Sequence, residues 1–275
     1  MKRFQAKLWA SMALVTGSLA LVASAASASE VWRSQAGQVQ AELSYERVDA
    51  LQFTNIRLQI TRGGTAVLNA AVPVDSPYDR PLVEVSTDTF RVVDLDGDRE
   101  PEVLLDLYTG GAHCCTYSLI YRYNPASNQY TAITHQWGNR GYRLRDLDSQ
   151  PETLEFESED DRFAYEFTAY AASAYPLQIW RYQGGTMQDD TLNFPELIYQ
   201  HAAALWQAFD EQRRSGIDSD GLNVKGLLAA YLASKYQLGQ AADGWQRVRT
   251  VYRLGDRQQF FNHLSSFLRA TGYAR

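Results

Sequence analysis

The sequence predicts a mainly β protein with a C-terminal α-helical domain, α+β overall. Residues 31 to about 191 are rich in Thr, Tyr, Val and Gly and alternate polar with apolar positions, the period of a half-buried strand. From about residue 193 the apolar positions recur at steps of three and four, the period of an amphipathic helix. Within the β region, two stretches resemble each other at offsets of about 50 to 65 residues, the spacing of repeated β units.

The first 28 residues stand outside this scheme. Lys2, Arg3 and Lys7 make a basic leader, an apolar run rich in Ser, Thr and Gly follows, and Ala26-Ser27-Ala28 reads as a small-residue cleavage site. The pattern is that of a signal peptide, so a periplasmic or extracellular protein is expected, with no membrane span after its removal. Removal leaves 247 of the 275 residues, takes three basic and no acidic side chains, and moves the net charge from −6 to −9. Such an acidic chain is unsuited to nucleic acid, whose phosphates are met by clustered Lys and Arg. It suits a cation.

The expected β domain covers 29–191. "FRVVDLDGDREPEV" (90–103) aligns with "YRLRDLDSQPET" (142–153), and "IYRYNPASNQYT" (120–131) with "IWRYQGGTMQDDT" (179–191). "IRLQITRGGTAVL" (56–68) is a looser copy. Each unit, at about 84–138 and 139–191, reads as an acidic turn, a strand, a hairpin and a return. A closed propeller takes roughly four or more blades. Two clear units therefore predict propeller-blade-like sheets in an open, curved or sandwich-like arrangement. "EFESEDDRF" (155–163) is expected to carry a hairpin turn whose charges face water.

The expected helical domain covers 193–275, with about four helices packed as antiparallel hairpins. Asn193, Pro195 and Glu196 form a helix-start signal. Ile198, Ala202, Leu205 and Phe209 then step along one face, as do Ala241, Trp245, Val248 and Tyr252, and Phe260, Leu264 and Phe267. "DSDG" (218–221) reads as the turn into a helix.

Asp94, Asp96 and Asp98 fall on alternate positions, Gly97 permits a tight bend, and Glu102 follows. Calcium takes roughly six to eight hard oxygens at loose geometry, which carboxylates on a turning loop can supply. The expected ligands are Asp94, Asp96, Asp98, Glu102 and the backbone carbonyl of Glu100. Without a cation these carboxylates repel one another. The second copy, Asp146-Leu147-Asp148-Ser149, lacks the insert that carries a third aspartate and is expected to be a metal-free structural turn.

The loop at 94–102 resembles the Asp-x-Asp-Gly-Asp-x-x-x-acid signature of bacterial exported VCBS and integrin-type FG-GAP repeats. The resemblance extends over roughly 90–191 and is specific at 94–102. It implies a calcium-binding loop between strands of a propeller blade. Arg99 stands where the family usually has glycine. No helices flank the loop and no bidentate Glu stands at its twelfth position, so it is not an EF-hand.

His113 lies beside Cys114 and Cys115, the chain's two cysteines. In an oxidising compartment four states are open: a bond between the neighbours, a bond to another chain, free thiols, or metal thiolates. Gly110 and Gly111 give the backbone freedom for the tight turn that a bond between neighbours needs. On a regular strand the two thiols would point to opposite faces. His113 with two thiolates would suit copper or zinc, at a spacing poor for zinc. The "GGAHCC" string is similar to one in exported bacterial proteins with such β repeats, and that likeness assigns no activity.

No Gly-x-Ser-x-Gly, His-Glu-x-x-His or phosphate-loop motif is present, so no catalytic residue is assigned. His135, His201 and His263 stand apart in sequence, and Trp137, Trp180, Trp206 and Trp245 fit core packing better than a binding surface. The expected function is that of an exported calcium-binding β-repeat module with a protein or carbohydrate partner. The alternative is a metal, redox or hydrolytic protein using His113, Cys114 and Cys115.

Overall fold

The computed structural model describes residues 29–148 and 153–274. The expected signal peptide and its cleavage site, and residues 149–152 after the second acidic turn, lie outside the described residues. The described strands form three antiparallel sheets, and a C-terminal helical region follows, so the α+β class is observed.

The first sheet is a meander of β1 (Ser29–Ala36), β2 (Val39–Arg47), β3 (Phe53–Arg62) and β4 (Thr65–Ala71). Gly63 and Gly64, at φ 54° and 82°, make the two-residue turn from β3 to β4. Both positions of that hairpin turn need positive φ, which glycine adopts freely.

The middle sheet contains β5 (Arg80–Pro81), β6 (Phe90–Val93), β7 (Glu102–Gly111), β8 (Cys114–Asn124) and β9 (Gln129–Gly138). Its order is β5-β7-β8-β9, and β6 shares the β5 edge of β7. The third sheet runs β10 (Tyr142–Arg145), β11 (Glu155–Glu159), β12 (Leu177–Gln183) and β13 (Thr186–Asp189).

The sheets pack in layers. One face of the middle sheet, with Val103, Leu105, Leu119 and Tyr121, shares a core with Val39, Leu43, Leu58 and Ile60 of the first sheet. Its other face, with Leu104, Ile120 and Trp137, shares a core with Phe156 and Tyr182 of the third. This explains a difference in patterning. β2, covered on one face, alternates buried with partly or fully exposed residues, whereas Glu102 to Leu107 of β7 are buried without interruption.

The helices are α1 (Pro195–Ser215), α2 (Leu222–Gln237), α3 (Ala241–Val251) and α4 (Arg257–Ala270). Ile198, Ala202, Leu205 and Phe209 are all buried on α1, as their spacing predicts. The helix begins at Pro195, which needs no backbone donor in the first turn. Asn193 does not cap it; its side chain donates to Asp190 at the start of the preceding 3-10 turn. Gly221, at φ 66°, forms the expected turn into α2.

The stretch from 155 to 163 departs from expectation. It forms β11 and a 3-10 turn, and Glu155 and Asp160 are buried rather than facing water. Asp160 is satisfied by Arg162 and by the Tyr273 hydroxyl, 2.9 Å away, so its burial is matched by partners. Beyond it, the segment between β11 and β12 sends Phe163 and Phe167 into the helical core, edge-on to Phe267 at 4.8 and 5.2 Å. Glu166 pairs with His263 of α4 at 2.6 Å. The helical core is thus completed by residues that precede the helices in the chain.

Candidate metal centre

The acidic loop links β6 to β7, so its two ends are adjacent strands of one sheet. Two residues within it take the left-handed conformation, Gly97 at φ 74° and Arg99 at φ 69°. At Arg99 the chain adopts a left-handed geometry that glycine takes without cost. The turn curls back on Asp94, whose Oδ1 accepts from Gly97 N at 2.9 Å and whose Oδ2 accepts from Arg99 N at 2.8 Å.

Carboxylate oxygens of Asp94, Asp96 and Glu102 lie within 4.8 Å of one another. Glu102 is 0% exposed. Its Oε2 accepts from Leu95 N at 3.2 Å, but its Oε1 is buried with no hydrogen-bond partner. Asp96 presents a second orphan, Oδ1, while its Oδ2 accepts from Gly184 N at 2.9 Å. Burial, and then the charges of Asp96, Asp98 and Asp94, push the Glu102 carboxyl up to about 8 against the Leu95 amide, which favours its ionised form. Two buried oxygens without donors, among carboxylates that repel, make a set that a hard cation would satisfy.

Of the four side chains among the expected ligands, Asp94, Asp96 and Glu102 come together. The side chains of Asp98 and Glu100 turn away to arginines. Asp98 Oδ2 accepts from Arg122 at 2.9 Å, and Glu100 forms a bidentate pair with Arg62 of the first sheet. Asp96 also forms an isolated bridge with Thr153, and Leu154 N donates to Leu95 O at 3.2 Å, so the loop contacts the third sheet. Sequence reasoning gives neither arginine a role, although Arg122 and Arg181 occupy matching places in the aligned hairpin segments.

The second acidic turn has the same core. Asp146, Asp148 and Glu155 also bring carboxylate oxygens within 4.8 Å of one another. Leu147 N donates to Glu155 Oε2 at 2.9 Å, as Leu95 N does to Glu102. Glu155 is 0% exposed, and burial followed by the charges of Asp148 and Asp146 raises its carboxyl above the usual range. Here a cation is built in. Arg181 Nη2 lies 2.6 Å from Asp148 Oδ2, 3.1 Å from Asp190 Oδ2 and 3.2 Å from Glu155 Oε1, the last outside hydrogen-bonding angles. Sequence reasoning misses Glu155, whose segment has the composition of a solvated turn, because its partner Arg181 arrives from the neighbouring strand.

His113, Cys114 and Cys115 lie at the far end of β7, about 33 Å of extended strand from the acidic loop. The two sulfurs are bonded to each other, and a cis peptide joins the two residues. Cys115 N donates to Thr109 Oγ1 at 2.8 Å. The His113 ring stacks on Tyr170 at 4.5 Å and its Nδ1 meets the Tyr165 hydroxyl, which docks the hairpin tip on the segment between β11 and β12. His135 sits edge-on between Trp137 and Trp180, and burial lowers its pKa to about 4.

Residues 198–272 match the family described as the sll0997 C-terminal domain. Over 222 residues the chain is 29% identical to the "Probable thylakoid lumen protein sll0997" of Synechocystis sp., covering 78% of this chain and 61% of that protein. It is also 29% identical over 222 residues to the "Uncharacterized protein y4bJ" of Sinorhizobium fredii, covering 79% of this chain and 33% of that one. The chain therefore spans less than two thirds of the length of either curated relative. No solved structure matches. Both alignments are longer than the helical region, so the likeness extends into the β sheets.

Proposed function

We propose that this chain is an exported binding module whose β region is tied by a calcium ion in the 94–102 loop. One observation carries the proposal: a fully buried glutamate, Glu102, has an oxygen with no partner and lies against Asp94 and Asp96. An all-oxygen donor set favours a hard cation over copper or zinc. The carboxylates would hold the ion, with water and backbone oxygens completing its shell. Its attraction would offset their repulsion and fix the β6–β7 junction. Through Asp96 the loop also touches Thr153 and Gly184, so the ion would brace the middle sheet against the third.

The leader pattern at 1–28 and the lumenal location in the name of the Synechocystis relative support export. The protein or carbohydrate partner would meet a surface held in shape by this staple. Among the described residues, no helix is long and apolar enough to cross a membrane. The test is calorimetric titration of chelator-treated protein with calcium, alongside thermal melts. One calcium per chain and a raised melting temperature are expected. An unchanged melt and no binding heat would overturn the proposal.

A second reading places thiol–disulfide exchange at Cys114 and Cys115, and the exposure of Cys114 at the hairpin tip favours it. Intact mass with and without a dithiol reductant tests it. The bonded pair takes up two electrons and two protons as the dithiol is oxidised, so a gain of two hydrogens in the folded protein is expected.

A further inference from the structure

We propose that the second acidic turn carries its own cation, the Arg181 guanidinium, and that Asp98 keeps the corresponding Arg122 out of the first. The two sites share their acidic core. Asp94, Asp96 and Glu102 match Asp146, Asp148 and Glu155, and the same leucine amide contact holds the glutamate in each. The arginines also match. Arg181 is the cross-strand partner of Glu155, while Glu102 and Arg122 are each the next residue beyond the paired Val103 and Tyr121.

What differs is where the guanidinium goes. At the second turn it enters the cluster and reaches Asp148, Asp190 and Glu155. At the first it is drawn outward to Asp98, while the stretch between Asp148 and Glu155 holds no aspartate, and no guanidinium lies against the buried Glu102 oxygen that lacks a donor. The third aspartate thus serves as a counter-ion for a competing side chain, and the position it clears is open to a divalent ion. A guanidinium is a permanent cation with several donors, so it neutralises carboxylates without dependence on ion concentration. The two turns would hold the same sheet arrangement by different means, one responsive to calcium and the other constant.

The inference rests on the calcium proposal only for the ion at the first turn, and the test separates the two. Calcium stoichiometry is measured by calorimetry on the full chain for wild type, R181Q, R181K, E102Q and the E102Q/R181Q double variant. One ion is expected for wild type, two for R181Q, one for R181K, none for E102Q and one for the double variant. No ion on wild type with one gained in R181Q would refute the calcium proposal while sustaining the role of Arg181. Equal stoichiometry in folded wild type and R181Q would overturn that role. If R181Q folds only with calcium, the proposal stands.

Should R181Q fail to fold in either condition, D98A and D98A/R122Q decide. D98A frees Arg122 to compete, so calcium affinity falls about tenfold. The added R122Q restores it. Failure of R122Q to restore affinity would make Asp98 an ordinary ligand and overturn the proposal.

Discussion

Leu95 N donates to Glu102 Oε2 at 3.2 Å, and this backbone bond fixes a fully buried carboxylate whose other oxygen has no partner. Replacing Glu102 with Gln keeps the shape and holds the side chain uncharged at every pH, so it cannot ionise to meet a cation. The variant should melt at or above the wild-type temperature in chelator, and lose the calcium-induced rise. For wild type at calcium one hundred times its dissociation constant, that rise corresponds to about 2.7 kcal/mol. Paired thermal melts with and without calcium measure both.

Calcium binding should release protons near neutral pH. The folded, ion-free Glu102 carboxyl is pushed up to about 8 from an ordinary value of 4.5, so at pH 7 it is mostly protonated, and the ion must displace that proton. Affinity should weaken as pH falls below about 8. Titrations in buffers of different ionisation heat count the released protons; heats independent of buffer would contradict this.

Asp106 lies on the same face of β7, wholly buried, accepting from Tyr142 at 2.8 Å and from Ser118, which in turn accepts from Trp137 at 2.7 Å. Burial pushes its carboxyl up to about 7, opposed by the Ser118 and Tyr142 hydrogen bonds. Because the folded value lies above the ordinary 3.8, the folded state holds a proton that the unfolded state has lost. Its contribution to stability is therefore full below the ordinary value and is lost as pH rises to about 7. Asp106→Asn should flatten this part of the stability profile, as read by urea unfolding across that range.

Gly226 on α2 leaves no room for a side chain, since a Cβ there would stand 2.7 Å from the Ala172 carbonyl oxygen. Gly226→Ala should push α2 off the segment before β12 and cost about 1–3 kcal/mol by overpacking. A stability unchanged within error in denaturant would show that the contact yields freely.

Phe156 faces Trp137 and Tyr142 in the core between the middle and third sheets. Phe156→Ala should cost about 3–5 kcal/mol. It should also weaken calcium binding, because the loop's Asp96 is braced by Thr153 and Gly184 of the third sheet. Calorimetry showing unaltered affinity in a folded variant would separate the loop from that interface.

The class of each region and the composition of the acidic turn are legible in the amino-acid order. Strand alternation and helical stepping are local periodicities, and the buried Ile198, Ala202, Leu205 and Phe209 follow from spacing alone. The Asp94, Asp96 and Glu102 set was legible for the same reason, since one short loop supplies all three. Which charges are neutralised, and by which partners, follows from how the sheets and helices pack. Glu155 is buried because β12 brings Arg181 opposite it, and Asp160 because Tyr273 reaches it from the end of the chain. Asp98 faces Arg122 rather than the other aspartates because β8 returns beside β7. A charged side chain carries no local signal of burial; its environment depends on partners brought by strand register and domain packing, which short-range spacing does not encode.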